Sequence, residues 1–256
     1  MLLVQGWSCP SRIQRNMTEK RLRDVATFGT SPDQIAPHLR PIRAAIADSA
    51  IWIEKHHPRN DRRVVLCNLL VAPLPYVDLY AQNPSGPLPL HAFCTRTVFE
   101  LNVRVRHVLL SPDNLKKWVA ETAQDRTELL EAIIGIAEAN DPRTEIVRTE
   151  LNRIASLKLK HHLPEVRKSD TQVATLAREV GLERERKSLF KIFSKLVHPT
   201  AYLVNSGNVM TDPQMGDLLL VHFQIYTRDL LKRISDEMGV PPEVISSHNL
   251  RRHQDS

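Results

Sequence analysis

The sequence predicts an all-α protein, a single-domain helical bundle of about seven to nine helices. Three observations support this fold class. Glycine is scarce, with 8 residues in 256, and most of the 17 prolines stand between segments rather than within them. Apolar residues recur every three or four positions in several long segments, as the buried face of a helix requires. Short polar residues followed by proline mark helix starts at four places.

The four helix starts have a common cause. A short polar side chain can accept the free N–H groups of a first turn, and proline loses nothing at the first helical position. The pairs are Ser31-Pro32, Ser111-Pro112, Asp141-Pro142 and Asp212-Pro213. With these starts, the periodicity predicts helices over 32–57, 63–82, 88–110, 112–139, 142–162, 171–180, 183–205, 213–238 and 241–247. Pro73 and Pro75 predict a kink or a break in the second of them.

The same pattern divides the chain into three parts. Residues 1–30 are basic and lack helical periodicity, so we expect a mobile basic N-terminal arm. Residues 31–247 form the predicted bundle, and 248–256 a flexible tail. The apolar run around Val64–Leu74 is shorter than the ~20 residues that a spanning helix needs, which predicts no membrane contact. The three cysteines fit no CxxC pattern, which favours reduced thiols and a cytoplasmic location.

The helix over 88–110 carries two different faces. One is apolar, and the opposite one carries Arg96, Glu100, Arg104 and His107. A polar stripe of this kind is typical of a solvated surface with i,i+4 ion pairs. However, Phe99 and other apolar residues flank the stripe, which would make the helix central and would partly bury an Arg96–Glu100 network. Both interpretations remain open, because a buried charge needs a partner that the sequence does not identify.

A second polar feature lies beside the apolar stripe of the helix that begins at 183. Ser194 and His198 stand one turn apart, and Pro199 follows. Proline disfavours helical geometry at His198 and leaves the carbonyl of Lys195 without its donor, so we expect a break there. The two side chains either satisfy buried polar groups or form a proton-transfer or ligand-binding site with Ser194 orienting His198.

Two of these motifs suggest a family. Arg96-Thr-Val-Phe-Glu100, followed by Ser194-x-x-x-His198-Pro199, resembles the pattern of the bacterial family catalogued as domain of unknown function 5677. The resemblance covers roughly residues 35–235. It implies a helical protein without an established activity, and it carries over Arg96, Glu100, Ser194 and His198 as the positions of interest.

A more distant resemblance is to the HEPN helical ribonucleases of toxin and antiphage systems, which carry Arg, four to six residues and then His on one helix. Here only Lys191 and His198 have that spacing. Lysine lacks the planar, permanently charged guanidinium, so the match departs from the family at a functional position. The resemblance implies a metal-independent ribonuclease or RNA-binding protein that uses His198, Lys191, Arg96 and Glu100.

A DNA-binding helix-turn-helix is a third interpretation, for Thr171 to Leu196. Leu176-Ala177-x-x-x-Gly181-Leu182 imitates the first helix and the turn. The match fails further on, because Lys187 falls where the second helix needs an apolar contact and Phe193 makes that helix resemble core.

The remaining motifs point away from metal and nucleotide chemistry. His56-His57 and His161-His162 are adjacent pairs whose members diverge on a helix, without further ligands at suitable spacing. We find no GxGxxG, GxxxxGK[ST], GxSxG or HExxH motif. The sequence therefore predicts no cofactor and no metal, and favours a non-catalytic helical interaction module of a bacterial defence or regulatory system. Its net charge of +6 is compatible with RNA or with a protein partner, including a second copy of the chain.

Overall fold

The computed structural model describes residues 31–138, 141–205 and 212–250; helices make up 80% of them, and they contain no strand. The predicted all-α fold class is therefore confirmed. The predicted arm over residues 1–30 lies outside the described residues. In chain order the helices are α1 (Pro32–His56), α2 (Asp61–Val71), α3 (Leu74–Gln82), α4 (Leu88–Val108), α5 (Pro112–Ile136), α6 (Arg143–Lys160), α7 (Val173–Glu179), α8 (Glu183–Val197), α9 (Ala201–Asn205), α10 (Pro213–Glu237) and α11 (Pro242–Leu250).

Helix α4 lies at the centre of the bundle. It packs most extensively against α10 and also contacts α8, α7 and α3. Val98 and Val103 are fully buried, and so is Phe99, whose ring packs edge-on against Tyr226 of α10 and Phe190 of α8. The expectation that this helix is apolar on nearly all sides and central is confirmed. Its polar side chains must therefore find partners on neighbouring helices.

Helices α2 and α3 replace the single helix predicted over 63–82. The break falls at Ala72 and Pro73, because proline cannot donate the backbone hydrogen bond that would continue α2. Within the described residues, the stretch Asp61–Gln82 has the length and apolar composition of a membrane-spanning helix, with a mean hydropathy of 1.6 over an 18-residue window. Because 44% of that window is buried, and core helices of soluble proteins share these properties, the stretch assigns no membrane location by itself.

Helices α5 and α6 form a hairpin at one side of the bundle. The first part of α5 packs against α4 and α2, whereas α6 packs mainly against α5. Ile154 is the one buried residue within Arg143–Lys160. The part of the hairpin that is distant from α4 and α2 therefore has one apolar contact surface, the one between α5 and α6.

The helix starts follow the predicted pairs closely. Ser111 accepts the N–H of Asn114, and Asp212 accepts the N–H groups of Gln214 and Met215. Asp141 accepts the N–H of Arg143 from one position further out, because α6 begins at Arg143. Ser31 precedes α1 but makes no capping hydrogen bond with its side chain. At the C-terminus, α11 extends to Leu250, so the tail predicted from residue 248 begins inside a helix, and residues 251–256 lie outside the described part.

Candidate functional site

Arg96 and Glu100 form the ion pair that the spacing predicts. Arg96 Nε donates to Glu100 Oε1 at 2.8 Å, and both side chains are about 30% exposed (31% and 29%). The guanidinium lies over the Phe190 ring, 5.0 Å from its centroid, and Arg186 approaches the same ring at 4.5 Å. The pair is therefore partly buried against an aromatic side chain of α8, as one of the two interpretations expected.

The other predicted site residues do not join this pair. Lys191, Ser194 and His198 are all exposed. The Ser194 hydroxyl donates to the carbonyl of Lys191 at 3.1 Å, a local bond within α8. Among the described residues, no hydrogen bond or ion pair connects Ser194 or His198 to Arg96 or Glu100. The structure therefore does not bring the five candidate residues together, because α8 turns its apolar stripe toward α4 and these three side chains toward solvent.

The break at Pro199 occurs where the sequence predicts it. Helix α8 ends at Val197, and His198 has the extended backbone that a residue before proline favours (φ −97°, ψ 152°). The freed carbonyl of Lys195 is satisfied by the Thr200 hydroxyl, which donates to it at 3.1 Å. Thr200, rather than the imidazole of His198, therefore closes this helix end.

The least exposed ion pair of the described residues joins α4 and α5. Arg104 donates through one guanidinium nitrogen to both oxygens of Glu121, each at 2.9 Å. The same guanidinium lies over the Trp118 ring, 4.9 Å from its centroid. Glu121 is only 9% exposed, and its burial raises the pKa of the carboxyl above the usual value, an effect that Arg104 opposes. Removal of either partner would leave the other as an uncompensated charge in a partly buried position.

One turn further along α4, His107 contacts α7. Its Nε2 donates to Glu179 at 3.0 Å, and the imidazole is 11% exposed. Burial lowers the pKa of His107, and the nearby Glu179 carboxylate only partly offsets this effect. The ring is therefore neutral near pH 7 and acts as a hydrogen-bond donor to Glu179.

Two cavities flank the Arg104–Glu121 pair. The first, of about 120 Å³, lies between α4, the start of α5, α7 and the segment that precedes α7, and Trp118 and His107 form part of its wall. The second, of about 290 Å³, lies toward the middle of α5. Arg104, Glu121, Val166 and Thr171 line both of them. We call these two cavities together the acidic cleft, because their walls carry more carboxylates than cations. The acidic residues are Glu121, Asp125, Glu128, Glu165, Asp170 and Glu179, and the basic ones are Arg104, Lys117 and Lys168.

A separate polar network fastens α4 to α10. Asp229 accepts from Asn102 at 2.8 Å, from Arg106 at 2.9 Å and from Arg233 at 2.8 Å. Burial alone would raise the pKa of the Asp229 carboxyl, but the hydrogen bonds from Arg233 and Asn102 and the charge of Arg106 lower it overall. None of these residues lines the acidic cleft, so we regard the network as structural.

The sequence pattern indicates only those residues of the acidic cleft that lie on α4. Arg104 and His107 belong to the polar stripe predicted on α4, together with Arg96 and Glu100. Their partners, Glu121 and Glu179, come from α5 and α7, where each stands among other polar residues that face solvent. No spacing rule relates them to α4, so sequence reasoning missed them.

The described residues also bear on metal binding and on the helix-turn-helix. Over residues 31–138, 141–205 and 212–250, no group of three or more His, Cys, Asp or Glu side chains is arranged to hold a metal ion. The predicted turn between α7 and α8 exists, with Gly181 in the left-handed region at φ 75°. Helix α8 buries Leu189, Phe193 and Leu196 in the core, and Lys187 is exposed in an ion pair with Glu183.

No family model, no curated protein and no solved structure matches the chain. The resemblances to the bacterial family of unknown function and to the HEPN ribonucleases therefore stay predictions.

Proposed function

We propose that this chain is a helical binding module and that the acidic cleft is its ligand site. The ligand is an organic cation that carries an amine or a guanidinium group. The observation that carries the proposal is the composition of the cleft wall, where six carboxylates and three basic side chains line two neighbouring cavities. With His107 neutral, the field in the cleft favours positive charge.

The contacts of Arg104 support the same chemistry. This side chain of the protein already places a guanidinium between an indole ring and a buried carboxylate. Charge-assisted hydrogen bonds and an aromatic face are the two interactions that proteins use to bind organic cations. The first cavity lies next to this side chain and is lined by three further carboxylates, those of Glu165, Asp170 and Glu179.

Binding of a cation is favoured over RNA cleavage for two reasons. Lys191 and His198 line neither cavity of the cleft and are exposed on α8. A phosphate backbone entering the acidic cleft would also meet an excess of carboxylates, which repel it. The net positive charge of the chain therefore does not describe this site.

Calorimetric titration tests the proposal. We expect 1,4-diaminobutane to bind to the full chain and sodium acetate not to bind. Glu165→Gln and Asp170→Asn should each weaken binding about tenfold, since one charge-assisted hydrogen bond contributes about 1.5 kcal/mol. Both residues are exposed, so these variants retain the fold.

The matched control is Glu131→Gln, which removes an exposed carboxylate of α5 that lines neither cavity. Its affinity should equal that of the wild type. A short peptide with a single lysine is titrated beside the diamine to distinguish the source of the cation. Tighter binding of the peptide would identify a protein partner, and tighter binding of the diamine would identify a small molecule. If the diamine and the peptide both fail to bind, or if all three variants weaken binding equally, the proposal is wrong.

A further inference from the structure

His107 lies in the wall of the first cavity of the acidic cleft, together with Trp118, Glu165 and Asp170. Its ring is 11% exposed and belongs to α4, the central helix of the bundle. The backbone carbonyl of His107 accepts from Asn114 Nδ2 at 2.9 Å, a bond that ties this turn of α4 to the start of α5. The backbone that carries the imidazole is therefore fixed beside the space that a ligand of the cleft would fill.

Charged side chains from α4, α5, α7 and the segment before α7 surround this ring. They are Arg104 on α4, Lys117 and Glu121 on α5, Glu165 and Asp170 before α7, and Glu179 on α7. Glu179 accepts from Nε2 at 3.0 Å and also lines the cavity, so the same carboxylate can contact a ligand. Burial lowers the pKa of His107, and Lys117 and Arg104 lower it further, whereas Glu179 raises it. The ring therefore takes up a proton only in solution more acidic than about pH 6.5.

A proton on His107 would change the wall of the cavity in two ways. The imidazolium would add a positive charge beside a bound cation, and the two charges would repel each other across a partly enclosed space. The imidazolium would also bind Glu179 more strongly, because the hydrogen bond between them would then join two charged groups. Glu179 would be less available to a ligand as a result. Both effects weaken the binding of a cation.

We infer that His107 is a proton-operated switch of the acidic cleft: the neutral ring permits the cation to bind, and the protonated ring weakens its binding. This inference rests on the proposed function, since it concerns the same ligand. The affinity should be constant above about pH 6.5 and should fall as the pH drops through the lower pKa of the folded chain. Because His107 exchanges one proton, the fall that it causes is at most about tenfold per pH unit. Reciprocally, a bound cation must make His107 harder to protonate.

Calorimetric titration of the full chain with 1,4-diaminobutane at pH 7.5 and at pH 5 tests the inference. Both amines of this probe stay protonated over that range, because an alkylammonium titrates near pH ~10. The wild type should bind about tenfold more weakly at the lower pH. His107→Gln keeps an N–H donor but cannot take up a proton, so its affinity should fall less than about threefold.

For each protein, the ratio of the affinities at the two pH values is compared, because the substitution itself alters the cleft wall. Carboxylates such as Glu121 also approach protonation at pH 5, and the ratio measured for His107→Gln contains their share alone. His198→Gln is the matched control, since His198 is exposed and lines neither cavity. This variant should show the same ratio as the wild type.

The imidazole resonances of the wild type provide a second measurement, which needs no variant. Saturating 1,4-diaminobutane should lower the pKa of His107. The resonances of His161, an exposed residue outside the cleft, should not respond to the ligand. Equal affinity ratios in the wild type and His107→Gln, or a pKa of His107 that the ligand leaves unchanged, would overturn the inference, while binding at pH 7.5 would still support the proposed function. Absence of binding at both pH values would refute the proposed function and the switch together.

Discussion

His91 is a histidine that the core encloses almost completely. Its ring stacks on Tyr80 with 4.2 Å between centroids, and its Nε2 donates to the carbonyl of Asn83 at 2.8 Å. The residue is 4% exposed, and burial lowers the pKa of the imidazole below its usual value, while the bond to Asn83 opposes this. The folded chain therefore keeps His91 neutral, as the stacked arrangement requires.

A pH dependence follows from this position. Below about pH 6.5 the unfolded chain binds a proton at His91 before the folded chain does, so the free energy of unfolding must fall as the pH drops from that value toward the lower folded pKa. Above about pH 6.5 the imidazole is neutral in both states and contributes no slope. His91→Phe keeps an aromatic ring on Tyr80 and should remove this part of the slope, at most about 1.4 kcal/mol per pH unit.

Urea unfolding of the wild type and the variant between pH 5 and pH 8 measures this difference. The variant loses the bond to Asn83 and is less stable at every pH, so the slopes and not the absolute values are compared. His161→Gln, at an exposed position, serves as the control and should keep the slope of the wild type. Parallel curves for wild type and His91→Phe would contradict the prediction.

The helix starts show which features of a secondary-structure element local sequence rules predict. The four predicted starts share the pattern of a polar residue before proline, but two of them differ in their contacts. Asp212 accepts two backbone N–H groups of α10, whereas the side chain of Ser31 accepts none from α1. The pattern locates both starts correctly but does not determine whether the side-chain cap forms.

This difference predicts unequal effects of the same substitution. Asp212→Ala should lower the free energy of unfolding by about 1 kcal/mol, because two N–H groups of the first turn lose their acceptor. Ser31→Ala should change it by no more than a few tenths of a kcal/mol. Chemical denaturation of both variants beside the wild type is sufficient. Equal losses would show that proline and the backbone, rather than the side-chain cap, define these starts.

Proline explains the other element boundaries that the sequence predicted. The break between α2 and α3 and the end of α8 both stand where a proline removes a backbone donor. The segment over 183–205 is divided at the break that Pro199 predicts, since α8 stops at Val197 and α9 begins at Ala201. Hydrogen bonds of Thr200 explain why the chain turns compactly there.

At the scale of the whole molecule, Cys94 reports on the integrity of the core. It is fully buried on the central helix, and burial raises the pKa of its thiol to about 11. Cys67 on α2 is also buried, and both are free thiols. Neither can react as a thiolate while the bundle is intact.

We therefore expect Cys94 to be alkylated only after global unfolding. Labelling with iodoacetamide at increasing urea, read by mass spectrometry, should follow the unfolding transition seen by circular dichroism. Labelling of Cys94 in native buffer at a rate that does not depend on urea would show that the centre of the bundle opens locally. The unfolded chain provides the positive control for reactivity.

The sequence by itself determined the all-α class, the approximate position of each helix and the breaks at proline, because these features depend on residues within one or two turns of each other. It also identified α4 as a helix with a polar stripe inside an apolar surround.

Only the tertiary structure decided which polar residues meet. Arg104 pairs with Glu121, and His107 with Glu179, whereas within the described part of the chain neither Ser194 nor His198 bonds to Arg96. Burial and ion pairing depend on which face of one helix packs against another, and that choice is made by apolar residues far apart in the chain. Helical periodicity fixes the faces of each helix, but the rotation of one helix against its neighbours is settled when the core packs.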